Sequence, residues 1–180
     1  RGKVRIPMKL RVGFSKTNSL ISKTIRWVIG APFSHTYIRF YDEFLGLHFV
    51  AHADWPGVMI MQADKFDKEN KVLEEFEFDC PELKQSLTSN LRFLGSRYDY
   101  LSILGWAWTI ALRRAARIIA KNPLDDPKSL ICVDFCIRVL NDAGLTSIPV
   151  GSINPKGLVN KLRDNYETMC GQRFVFERTE

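Results

Sequence analysis

Apolar residues first recur at every second position: Leu10, Val12 and Phe14 alternate with Lys9, Arg11 and Gly13 between Lys9 and Lys16. That is the period of a strand with one buried face. The period changes after Thr17-Asn18-Ser19, where Leu20, Ile21, Ile25 and Val28 take up helical spacing and Lys23 and Arg26 fall elsewhere on the wheel. The three small polar residues are N-cap candidates, and Gly30 with Pro32 ends the helix. Three strand-like runs follow, 35–41, 47–53 and 58–61, separated by Asp42-Glu43 and Pro56-Gly57. Connections that short predict an antiparallel meander. A further run, Val72 to Asp79, mixes Glu with Phe, and Pro81 opens a helix whose apolar stripe is Leu83, Leu87, Leu91 and Leu94.

Residues 101–112 carry only Ser102 and Thr109 as polar side chains before Arg113, Arg114, Arg117 and Lys121. The run is shorter than the roughly 20 residues a bilayer requires. It reads as a buried core helix; the rival is a helix lying on a membrane with Trp106 and Trp108 at the interface. The polar stretch 122–129, with Pro123 and Pro127, breaks that helix and supplies Ser129 as N-cap for the next. The next helix spans about 130–143 and stops at Gly144; a short helix over 155–164 and a last strand over 173–179 complete the pattern. The expectation is an α+β fold in one domain over residues 1–180, residues 1–7 forming a flexible extension.

A composition of 46% hydrophobic and 26% charged residues, without repeats or low-complexity tracts, fits an ordinary globular protein. The charge is uneven. Residues 1–41 hold nine Lys or Arg and no acid, leaving 17 basic against 20 acidic residues in the remainder. A basic first lobe favours an anionic surface, a membrane or an acidic cell-wall polymer, as partner; no specific nucleic-acid partner is expected. The bland reading of the same charge is a solvated surface.

Cys80, Cys132, Cys136 and Cys170 show no disulfide pattern in a chain large enough to fold without one. They read as reduced thiols, hence a cytoplasmic setting, although a chain that begins at Arg1 also fits a secreted, virion-associated or membrane-peripheral one. No Cys and His spacing matches a zinc site, so neither metal nor cofactor is expected.

Candidate chemistry comes from a thiol and an imidazole. Cys132 falls in the first turn of its helix, where the helix dipole favours a thiolate, after a turn long enough to leave the sulfur partly exposed. Cys136, one turn deeper among Phe135, Ile137 and Val139, reads as a small buried hydrophobe. All three histidines, His35, His48 and His52, lie within 18 residues. His35 opens a strand and shares a face with Tyr37 and Arg39, so it is the candidate base. The base needs a partner on its other nitrogen; His48 and His52 share one face of the next strand, so parity leaves both open.

Four local matches, in order, resemble the circularly permuted papain-like thiol hydrolases of the NlpC superfamily, particularly the YiiX-like and lecithin retinol acyltransferase-like branches. They are the opening strand and helix, Ser34-His35 at a strand start, Tyr98-Asp99-Tyr100, and Cys132 with Asp134 two residues on. The resemblance implies an antiparallel sheet packed against helices, with the nucleophile Cys132 at a helix N-terminus and His35 as base. It favours His52 over His48 as the third residue, because Val50-Ala51-His52-Ala53 matches the family context and Gly57-Val58-Met59-Ile60 the strand after it. Tyr98 and Tyr100 would line the site, and Ser34 and Tyr37, flanking His35, are further substrate-contact candidates. The implied activity is cleavage of an amide, peptide or isopeptide, as in cell-wall peptides, through an acyl-enzyme. Lipid acyl transfer or ester cleavage at a membrane, and a non-catalytic papain-like binding module, are the alternatives. Three departures stand out: a long His35 to His52 interval, Val133 where the family often carries Ser, and the apolar run 101–112.

Overall fold

The protein is described by a computed structural model, which defines residues 8–54, 56–96, 132–167 and 171–176. Strand β1 (Lys9–Lys16) leads to α1 (Leu20–Ile29), then β2 (His35–Asp42), β3 (Leu47–Asp54) and β4 (Gly57–Gln62). Helix α2 (Ala63–Glu69), strand β5 (Lys71–Asp79) and helix α3 (Leu83–Asn90) follow, α3 tightening into a 3-10 turn over Leu91–Phe93. Helices α4 (Cys132–Asp142) and α5 (Pro155–Asn165) and strand β6 (Gly171–Val175) complete the described chain. The fold is α+β. Six strands form one antiparallel sheet in the order β4-β3-β2-β1-β5-β6, so the expected β2-β3-β4 meander is present.

Local chemistry explains the element ends. Ser19 is extended and its side chain accepts from Ser22 N, while Gly30 closes α1 in the left-handed conformation at φ 62°. The β2-β3 hairpin turns where Asp42 Oδ1 accepts from Leu45 N. Asn154 caps α5 by accepting from Gly157 N, with Pro155 in its first turn.

Each face of the sheet carries its own core. On one face Leu10, Val12, Phe14, Ile38, Phe76 and Phe78 pack against Val133, Cys136, Ile137 and Leu140 of α4 and Leu158 and Leu162 of α5. On the other, Tyr37 and Val50 meet Ala63 and Phe66 of α2. The expectation of a half-buried β1 is therefore corrected. As a central strand hydrogen-bonded to β2 and β5, it also buries Gly13 and Ser15. Leu91 and Leu94 are exposed rather than in the expected stripe, because the 3-10 turn breaks the 100° step at Leu91. No described helix is long and apolar enough to cross a membrane. The apolar run 101–112, with Trp106 and Trp108, and the cap candidate Ser129 lie outside the described residues.

Candidate active site

Antiparallel register brings two histidines together. Tyr37 is directly opposite His52, so His35, two residues earlier on the same face of β2, lies diagonal to His52 across the ladder. His35 Nε2 and His52 Nδ1 are 3.1 Å apart, a hydrogen bond between two buried rings set edge to face. Phe66 of α2 packs against both rings and shuts the pair away from water. His48, four residues earlier on β3, is exposed and packs against Tyr41 instead, the two rings tilted at 53°. The two candidates that parity leaves open are thus separated by distance along the strand.

Burial governs the protonation of this pair. It lowers the pKa of His35 from 6.5 to about 4. For His52 burial comes first and the neighbouring His35 second, outweighing the Asp54 carboxylate, and the value falls to about 3. Both imidazoles are neutral at pH 7. His52 Nε2 is itself buried and has no hydrogen-bond partner among the described residues.

Helix α4 packs against β2 and β3. Cys136 faces the side chain of Thr36, the neighbour of His35 in β2. Burial drives the Cys136 thiol far upward, with the Thr36 hydroxyl opposing it, so this sulfur behaves as the expected core hydrophobe. Cys132 opens the described part of α4, one turn before Cys136 on the same stripe. It is only 4% exposed, which corrects the expectation of a partly exposed sulfur: Val133, Phe135 and Cys136 beside it are buried in the core as well. Cys80, Cys132 and Cys136 are free thiols, and Cys170 lies outside the described residues.

The proposed substrate contacts on β2 have other work. Tyr37 is fully buried, and its hydroxyl donates to Glu75 Oε1 at 2.7 Å. The ring reaches Glu75 by crossing β1 at Gly13, where an added Cβ would come within 2.1 Å of Tyr37 Cζ. Burial first and Glu75 second hold the Tyr37 hydroxyl well above its ordinary pKa. Tyr37 is therefore a pillar of the sheet face beside the histidines, not a surface for substrate. Ser34 Oγ shares a 2.6 Å hydrogen bond with Ser22 Oγ, tethering the start of β2 to α1. Tyr98 and Tyr100 lie outside the described residues.

Sequence reasoning missed the surroundings of the pair. Arg39 grips Asp67 with both terminal nitrogens, at 3.0 and 2.6 Å, and sets its Nε 2.8 Å from Glu75. Glu75 and Glu77 are buried, paired with Arg39, Arg11 and Lys9. The acids in the β5 pattern were visible, but only the ladder shows that they meet the arginines of β1 and β2. Phe66 gave no periodic signal, being the single large apolar residue of a seven-residue helix. Asp54 is the third member of a cluster with His35 and His52, in which one donor atom from each lies within 4.8 Å of the others. Such a trio is capable of holding a cation, which the Cys and His spacing did not suggest. The close His35 to His52 contact is equally what two hydrogen-bonded neutral imidazoles make.

Chemically, the arrangement offers two buried imidazoles in hydrogen-bond contact, on strands that pack against the helix carrying Cys132. No protein-family model matches the chain, and no curated protein matches it by sequence.

Proposed function

We propose that the protein is a thiol hydrolase of permuted papain-like design that cleaves an amide or ester through an acyl-enzyme on Cys132. The observation that carries this reading is the 3.1 Å contact between His35 Nε2 and His52 Nδ1. If His35 donates from Nε2 to His52, its Nδ1 is the lone-pair nitrogen, free to accept a thiol proton. His52 then fixes that tautomer and stabilises the imidazolium that forms, the part of an orienting third group. The chain order of His35, His52 and Cys132, with an antiparallel sheet under the cysteine helix, supports the same design.

In this reading the resting pair is a thiol and a neutral imidazole, because burial disfavours charge on either histidine. The proton passes from Cys132 Sγ to His35 Nδ1 as sulfur attacks the substrate carbonyl. The carbonyl oxygen takes the negative charge, and the backbone N–H of Cys132 would contribute to an oxyanion hole. Collapse breaks the bond to the leaving amine or alkoxide, which takes the proton from His35. Water, deprotonated by His35, then cleaves the thioester and restores the thiol. Peptide or isopeptide amides and acyl esters are both substrates of suitable chemistry.

The burial of Cys132 favours a second reading, a papain-like module that binds without catalysis. One experiment separates the two: iodoacetamide labelling of the native protein at a series of pH values, with adducts located by mass spectrometry. The hydrolase reading expects Cys132 to label faster than Cys80 and Cys136, and His35→Ala to slow it at least about tenfold. Labelling of Cys132 that is no faster than its neighbours, or indifferent to His35→Ala, establishes the binding module instead.

A further inference from the structure

Helix α1 turns apolar side chains to solvent in a way the fold does not require. Leu20 is 79% and Trp27 73% exposed, with Ile21 also outside, while Ser22 and Val28 face the interior. At 100° per residue Leu20, Lys23, Thr24 and Trp27 form one side of the helix. Lys23 therefore stands between the two most exposed apolar groups. Arg26 lies along the helix, its Nε donating to Ser22 O, and Lys156 Nζ donates to Gly30 O at the C-terminal end. No acid interrupts this surface from within its own segment, since the first acidic residue of the chain is Asp42.

We propose that this side of α1 docks on an anionic phospholipid bilayer, lying in the interface with Leu20 and Trp27 among the acyl chains, Lys23 at the phosphates and Arg26 on the flank within reach of them. The surface joins two features of an interfacial helix, exposed apolar groups including a tryptophan and cations in a segment, residues 1–41, that holds no acid. A protein partner is the weaker occupant. A ten-residue helix offers well under the roughly 800 Å² per partner of a stable interface. Charge also sets α1 apart from another exposed apolar spot, the β2-β3 turn. There Phe44 is 94% exposed and Leu45 also outside, but Asp42 and Glu43 adjoin them and repel anionic lipid.

Docking by α1 would hold the candidate site at the membrane, because Ser22 of this helix is tied to Ser34, the residue before His35. The inference does not depend on catalysis, and its test leaves Cys132 untouched.

Co-sedimentation with phosphatidylcholine vesicles, with and without added phosphatidylglycerol, tests it. Wild type is expected to bind only the anionic vesicles and to be released at about 0.5 M salt. Leu20→Ser with Trp27→Ser is expected to weaken binding at least about tenfold, and Lys23→Glu or Arg26→Glu by roughly fivefold or more each. Phe44→Ser with Leu45→Ser is expected to bind as wild type. Circular dichroism melts should show every variant folded, so that a loss of binding is not a loss of structure. Any of three results overturns the proposal: no binding of wild type to anionic vesicles, binding unaffected by the Leu20 and Trp27 pair, or a dimer in sedimentation velocity that Trp27→Ser dissociates.

Discussion

Acid should weaken this fold in a pH window set by the histidine pair. In the unfolded chain both imidazoles titrate near 6.5, while in the fold burial holds His35 at about 4 and His52 at about 3. Between those values the unfolded chain binds more protons than the folded one, so stability is complete above pH 6.5 and falls as pH drops, levelling off below about 3. From pH 7 to pH 5 the loss for His35 alone integrates to roughly 2 kcal/mol. His52 adds to it, though not independently of its neighbour, for about 2–4 kcal/mol in all. With a urea m-value near 2 kcal/mol per molar, the midpoint should fall by about 1–2 M. Urea titrations followed by far-ultraviolet circular dichroism at half-unit pH steps measure it, for wild type and for His35→Gln with His52→Gln. Glu77 contributes in a separate, lower window. Although burial opposes it, hydrogen bonds from Lys9 and Arg11 hold its carboxyl below 4.5, so that contribution is lost only in stronger acid. A midpoint that stays constant from pH 7 to pH 5, or a fall that persists in the double glutamine variant, would refute the reasoning.

Other substitutions test the neighbourhood of the pair. Gly13→Ala should cost about 1–3 kcal/mol by driving a methyl into the Tyr37 ring, and Tyr37→Leu should relieve the clash, giving a strongly non-additive double-mutant cycle in thermal melts. Phe66→Ala should cost about 3–5 kcal/mol and, by admitting water to both imidazoles, raise their pKa values toward 6.5, read by NMR titration of the ring protons. Glu75→Leu should cost about 3–5 kcal/mol because it leaves Arg39 Nε and the buried Tyr37 hydroxyl without their partner, whereas Asp67→Asn, at a half-open position, should cost less than about 1 kcal/mol. His52→Ala should slow acyl-ester hydrolysis about 10²-fold or more while leaving Cys136 substitutions without comparable effect; equal rates in the two variants would remove His52 from the orienting role.

Much of the architecture was legible because it rests on short-range rules. Alternation marked β1 to β5, Ser19 and Gly30 bounded α1, and the two-residue separators announced the meander. Helix α2 was not, since seven residues make barely two turns and carry no usable period. The site was legible in part. Parity left His48 and His52 open and the family resemblance favoured His52, but only register shows that His52 stands opposite Tyr37 and so beside His35. The burial of Cys132 was equally hidden, because a helix start says nothing of how the helix lies on its sheet.

The sequence by itself determined the alternation of strands and helices, the caps that bound them and the short list of residues able to do chemistry. These are properties of neighbours along the chain. Tertiary structure alone decided that His52 meets His35 at 3.1 Å, that Tyr37 spans Gly13 to Glu75, and that α1 leaves Leu20 and Trp27 in solvent. Each of those facts joins residues that only strand register or helix docking brings together. Register and docking come from the burial of both sheet faces at once, which no local pattern encodes.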